Sequence, residues 1–403
     1  MLLAFQLVAA SSAQAAPGDL DTSFGTGGKV TTDFGNGDVA HAVVLQPDGK
    51  IVAAGRSVRD FALARYQPDG TLDTTFSTDG KVTTDIAGGD DVALAVALQP
   101  DGKIVAAGSA STGATEDFAL ARYNPDGTLD TTFSTDGKVT TDFAGGNDVA
   151  RDVALQPDGK IVAAGASGSD FALARYNPDG TLDTTFSTDG KVTTDFAGGH
   201  DEANAMALQP NGKIVAAGFA DTRETFDFAL ARYKRRGTLD PSFSKDGKVT
   251  TDIAGSDDFA SGVAFAPDGK IVAAGNTIAA TLDFAVARYK RHGTLDPSFS
   301  TDGKVTTDFA SGNDFNFAVV VQPDGKIVAA GIATTPGDDF GLVRYNPDGT
   351  LDLTFGGDGK VTTDIAGDDQ ASDLALQPDG KIVVAGIAFG FTEDFALARY
   401  LVE

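Results

Sequence analysis

The sequence predicts an all-β fold, a seven-bladed β-propeller with four antiparallel strands per blade. Three observations carry this. One unit recurs seven times: LDxxF, then GKVTTDF or GKVTTDI, then QPDGKIVAAG or a close variant, then DFALARY or a close variant. Its GKI lysine falls at Lys50, Lys103, Lys160, Lys213, Lys270, Lys326 and Lys381, 53 to 57 residues apart. A fixed period of that size marks a repeat architecture, whose units bury a core only by stacking on neighbours. Each unit also holds four stretches of strand length, and short turn-forming connectors join them into a meander.

The second full unit shows the elements in order. Residues 92–99 (VALAVALQ), 103–108 (KIVAAG), 118–123 (FALARY) and 138–143 (KVTTDF) are the four strands. In the last, Lys138, Thr140 and Asp142 alternate with Val139, Thr141 and Phe143, a strand period. Gln99-Pro-Asp-Gly102 and Asn124-Pro-Asp-Gly127 are turns, with Pro in second place and Gly where the backbone must turn left-handed. No segment has a helical pattern, which favours a propeller. A solenoid, the competing architecture, would use shorter coils and atypical capping units. A blade narrows toward its axis, so the Ala- and Val-rich strands belong inside. The order from the axis outward is A (AVALQ), B (KIVAAG), C (FALARY) and D (KVTTDF).

The chain ends predict how the ring closes. A strand D, residues 29–34, comes first, and the last unit stops after its strand C, residues 395–400. The N-terminal strand is expected to complete the last blade and remove an exposed edge. The expected organisation is a signal peptide at 1–16 and a propeller at 17–403. The repeat units lie near 20–66, 67–123, 124–176, 177–233, 234–289, 290–345 and 346–400.

Residues 1–16, MLLAFQLVAASSAQAA, resemble a secretory signal, with an apolar run and an Ala13-Gln14-Ala15 cleavage pattern. The basic stretch that normally precedes such a run is missing, so the true start is expected upstream. The run is too short for a membrane span. The expected location is secreted, periplasmic or on the cell surface of a bacterium.

These motifs resemble the bacterial delta-60 repeat, a propeller-type repeat of no assigned activity. LDxxFGxxGKVTTDF, AxAVALQPDGKIVAAG and DFALARYNPDG carry the similarity, which runs from 20 to 400. The resemblance implies the propeller fold and export in bacteria. It offers no catalytic residues to carry over. Two units depart from the pattern: Lys234-Arg235-Arg236-Gly237 and Lys290-Arg291-His292-Gly293 replace Asn-Pro-Asp-Gly. The turn glycine survives, and the local charge reverses.

Composition narrows the function. A formal net charge of -26 disfavours nucleic acid, which demands clustered Lys and Arg. The chain has no cysteine, so thiol catalysis, Cys-zinc sites and disulfides are excluded. Every tyrosine ends a strand C, each follows an arginine, and each strand C begins at an aspartate. Seven copies cannot be one active site, so they read as interblade packing with an Arg–Asp pair at the blade edge.

Function is better sought where the units differ. The B–C loops vary: Arg56 to Arg59, Ser109 to Glu116, Phe219 to Phe226 and Ile387 to Glu393. Up-and-down alternation gathers B–C and D–A loops on one face, where binding is expected. In strand A one column reads His41, Leu94, Arg151, Asn204, Ser261, Phe317 and Ser372, and the next holds Asp152 and Asp373 among Ala and Gly. These positions should converge at the mouth of the central channel. The candidate ligand-binding residues are therefore His41, Arg151, Asp152, Asn204 and Asp373. His41, Arg151, Asp152 and Asn204 are also the catalytic candidates, with His41 as a general base and Asp38 as its orienter. There is no GxSxG, HExxH or P-loop.

The same face carries three aspartates per blade: one at the entry to strand C, one at the end of strand D and one in the D–A loop. Oxygen ligands suit calcium or magnesium, although no DxDxDG loop appears. No cofactor is expected apart from calcium. The leading expectation is an exported, monomeric, non-enzymatic propeller that binds a protein, a glycan or a cation. The alternative is a hydrolase or lyase at the channel mouth.

Overall fold

The computed structural model describes residues 15–35 and 37–402. The expected leader falls almost wholly outside them. The described residues form seven four-stranded antiparallel sheets. Blade 1 comprises Asp38–Leu45, Ile51–Ser57, Asp60–Tyr66 and Lys81–Thr84 as strands A to D. Blades 2 to 6 repeat this order. Among the described residues no helix is long and apolar enough to cross a membrane.

The ring closes as the chain ends predict. Lys29–Thr32 pairs antiparallel with Glu393–Tyr400, Val30 standing opposite Leu397, as strand D of blade 7. The preceding segment joins in. The Gly18 amide donates to the Leu401 carbonyl, and the Asp21 amide to that of Arg399.

Strand D is shorter than the alternation suggests. It stops at the second threonine of KVTT in every blade. The Asp-Phe or Asp-Ile that follows turns into the D–A loop. There the amide of Ile86 or Phe143 donates to Asp91 or Asp148, the first residue of the next strand A. Capping by that aspartate outcompetes the ladder.

The core lies between blades. One cluster packs Val52, Ala54, Phe61 and Leu63 of blade 1 against Ala93, Ile104 and Ala106 of blade 2, and the other junctions repeat it. Alanine dominates strands A and B because the blades converge there. The tyrosines are interblade contacts. Tyr123 in blade 2 donates to Thr84 Oγ1 in blade 1 at 2.9 Å.

The arginine before each tyrosine pairs with an aspartate, but not with the one that opens strand C. Its partner is the aspartate of LDxxF. Arg65 Nε meets Asp73 Oδ2 at 2.7 Å, and Lys50 Nζ meets the same oxygen at 3.0 Å. Arg65 also donates to the Pro125 carbonyl in blade 2 and lies over the Phe76 ring. The pair thus clamps neighbouring blades. Burial would raise the Asp73 carboxyl, but hydrogen bonds from Thr75 and Lys50 and the Arg65 charge hold it far below the usual range.

Candidate functional site at the channel mouth

Strand A borders the channel, and in every blade it carries a β-bulge. In blade 3 the register passes from Ala150 opposite Gly165 to Asp152 opposite Ala164, so Arg151 is the extra residue. The equivalent residues in blades 1, 2, 4, 5, 6 and 7 are His41, Leu94, Asn204, Ser261, Phe317 and Ser372. This is the variable column of the sequence. A bulge breaks the period of two, so the extra residue and the next one both face the channel.

A glycine in strand B permits the bulge. A Cβ on Gly165 would overlap the carbonyl oxygen of Val149, and one on Gly55 that of Val39. Neither glycine has a left-handed backbone. The strand B glycine, present in all seven units, is therefore required by close approach rather than by conformation.

The seven bulges ring a cavity of about 890 Å³. His41, Arg151, Asp152, Asn204 and Asp373 all line it, from blades 1, 3, 4 and 7. Four of them are already engaged, Arg151 with the Glu202 side chain and the other three with the backbone. Arg151 Nε donates to Glu202 Oε1 at 2.6 Å. Asn204 Nδ2 donates to the Ala260 carbonyl at 2.9 Å. Asp152 accepts from the amides of Val153 at 2.6 Å and Met206 at 2.7 Å. Asp373 accepts from the amides of Leu374 and Val43, both at 2.8 Å.

The channel shifts the titration of three of them. Burial, with the Arg56 and Arg151 charges, lowers His41 to about 4 and keeps its ring neutral at pH 7. Burial raises Asp152 to about 6 despite its two amides. Burial and the charge of Asp152 raise Asp373 to about 7. The expected orienter Asp38 is spent elsewhere, its Oδ2 accepting from the Phe34 amide at 2.6 Å.

Other wall residues stood outside the candidate list: Arg56, Phe219 and Ile387, read as openings of B–C loops, lie at the end of strand B instead. Arg56, Phe219 and Ile387 follow the strand B glycine and line the cavity, as do Glu202, Gln370 and Phe389. The signal was a second unlike column: Arg56, Ser109, Ala166, Phe219, Asn276, Ile332 and Ile387. Phe219 belongs to an aromatic cluster, 5.4 Å from Phe226 and 5.0 Å from Phe259 between ring centroids. Phe317 stacks on Phe315 at 6.3 Å. Arginines therefore face the channel from blades 1 and 3, and phenylalanines from blades 4, 6 and 7.

Comparison with solved structures supports the fold alone. A catalytically inactive virginiamycin B lyase from Staphylococcus aureus, solved with quinupristin, superposes with a TM-score of 0.58 at 10% identity, over 92% of this chain and 98% of that one. A streptogramin B lyase gives 0.56 at 11% identity, with the same coverage. A protein from Lactobacillus plantarum gives 0.51 at 14% identity, over 84% of this chain and 92% of that one. No curated protein matches the sequence. A family described as a domain of unknown function (DUF5122) beta-propeller matches residues 46–76, 99–133, 156–186, 209–243, 266–299, 322–355 and 377–401. These segments take in more than half of the chain and contain an A–B turn in every blade, and the chain belongs to that family.

Proposed function

We propose that the protein is an exported propeller that binds a small amphiphilic ligand, with an anionic group and an aromatic body, at the loop-bearing mouth of its channel. The ring of bulged residues carries this reading. Seven positions built the same way hold six residue types around one cavity. A scaffold needs no such diversity at its axis.

The charges suggest the orientation. Arg151 is neutralised by Glu202, whereas Arg56 has no ion pair among the described residues. Arg56 suits a carboxylate or similar anion. Phe219 and Phe317 supply faces for a ring. Export rests on the leader-like residues 1–16.

Binding without turnover fits better than catalysis. A histidine near 4 is a weak base at neutral pH. Asp152 and Asp373 each spend both oxygens on backbone amides. One observation favours the alternative hydrolase or lyase: Asp373 near 7 and Asp152 near 6 lie where acid–base groups work best.

A thermal-shift panel of aromatic carboxylates tests the reading. Stabilisation that is lost in Arg56→Gln supports it. No stabilisation by any member, or equal shifts in the variant, refutes it. Mass-spectrometric detection of a product from a stabilising member would favour the enzyme.

A further inference from the structure

We propose that the aspartate clusters at the blade junctions hold hard divalent cations, calcium above all, and that each ion staples one blade to the next. Asp60 opens strand C of blade 1, Asp85 lies just beyond strand D of that blade, and Asp91 opens strand A of blade 2. One carboxylate oxygen from each lies within 4.8 Å of the other two. Asp117, Asp142 and Asp148 repeat the cluster between blades 2 and 3.

In these two clusters the aspartate that opens strand A carries the second observation. Asp91 and Asp148 are wholly buried; Oδ1 of Asp91 meets no hydrogen-bond donor among the described residues, and that of Asp148 meets none within hydrogen-bond geometry, with the Ser167 hydroxyl close to the carboxylate. Their Oδ2 atoms are spent on the amides of Ile86 and Phe143, at 2.6 and 2.7 Å. Asp85 and Asp142 also use only Oδ1, on the amides of Gly88 and Gly145 at 2.5 Å. Each of these residues therefore keeps one oxygen that the loop does not use. A buried carboxylate oxygen without a donor is costly, and a bound cation removes that cost.

Among the described residues no side-chain cation pairs with the first cluster. Lys138 donates to the backbone carbonyls of Asp85 and Ile86, at 3.1 and 3.3 Å. Arg59 pairs with Asp90 at 3.1 Å. The carboxylates instead repel one another. A cation turns that repulsion into attraction.

Oxygen-only donors select calcium or magnesium over zinc or copper. Calcium tolerates irregular geometry with 6–8 oxygens at about 2.3–2.6 Å, while magnesium demands an octahedron. Three carboxylates at a loop junction, completed by water, suit calcium. The exposed Asp85 and Asp142 match the weak class of site, with dissociation constants of about 10⁻⁴–10⁻³ M.

The test is equilibrium dialysis of the chelator-treated full chain against CaCl₂, with melting temperature followed beside matched NaCl. Several ions per chain and a rise in melting temperature beyond the salt control are expected. Asp85→Asn with Asp142→Asn keeps an oxygen for both loop amides and should bind two fewer ions. Asp60→Asn with Asp117→Asn should do the same from the other side of the clusters. Asp48→Asn with Asp101→Asn removes equal charge from the opposite face and should bind the full number. Absence of bound calcium at about ten times the upper dissociation constant above overturns the proposal. So does an ion count that the cluster variants leave unchanged, or that the control lowers equally.

Discussion

Asp373 in blade 7 accepts a hydrogen bond from the backbone amide of Val43 in blade 1, at 2.8 Å. An innermost strand has a sheet neighbour on one side only, so some of its amides lack a ladder partner. Asp373 supplies one across the junction where the ring closes. Asp152 does the same for Met206 in blade 4. The two unusual aspartates of the channel are therefore latches between blades as well as parts of the wall.

The latch has a pH signature. Folding raises the Asp373 carboxyl from its ordinary value to about 7. An acid whose pKa rises on folding is stabilising while protonated, and that contribution is lost as pH climbs through the folded value. In Asp373→Asn the charge never forms. The melting temperature of the variant relative to the native chain is expected to rise steadily from pH 4 to pH 8. Calorimetry across that range checks it, and a difference independent of pH would show that the carboxyl titrates normally.

The bulge glycine should tolerate no side chain. In Gly165→Ala the methyl group overlaps the Val149 carbonyl, and strand A must shift or lose its bulge. A loss of about 1–3 kcal/mol is expected, as for an overpacked core. Gly146→Ala is the control, since its Cβ would find nothing nearer than 3.8 Å. Denaturant unfolding of both variants measures the contrast.

The Arg65–Asp73 clamp is buried and shared with Lys50. Replacing Arg65 by Met leaves a buried carboxylate with one partner fewer and should cost about 3–5 kcal/mol. The carboxyl of Asp73 is depressed on folding. Its stabilisation is therefore complete above the unfolded pKa near 4 and is lost as pH falls below it. The native chain should lose stability below about pH 4 more steeply than Arg65→Met. Acid titration followed by circular dichroism reads the two slopes.

Closure predicts the effect of truncation. Removing residues 17–37 takes away the outer strand of blade 7, the Asp21 partner of Arg399 and the buried Phe24. A sharply lower melting temperature is expected. An unchanged value would mean that the last blade stands without its borrowed strand.

Blade number, strand order and closure were legible because seven near-identical units average out local ambiguity. The LDxxF aspartate was not matched to its arginine, because an equally regular aspartate stood closer in the pattern. The variable column pointed to the channel wall, yet the bulge that turns it inward was hidden. Its mark was Gly165 and its equivalents inside a strand, where glycine signals close backbone approach. Arg56 and Phe219 stayed out of the candidate list because they follow that glycine in strand B, one strand removed from the axis. The latching role of Asp152 and Asp373 depends on amides 54 and 330 residues away, a relation that spacing alone does not encode.

The central claim is that the ring of bulged residues is a ligand site. The most direct test is isothermal titration of the best-stabilising aromatic carboxylate into the native chain and into His41→Ala/Arg151→Ala/Asn204→Ala, which spares both latch aspartates. Arg59→Ala/Arg223→Ala serves as the surface control. The account predicts at least about a tenfold loss of affinity, near 1.4 kcal/mol, in the ring variant with folding intact, and none in the control. Equal affinity in all three, or no binder to titrate, would contradict it.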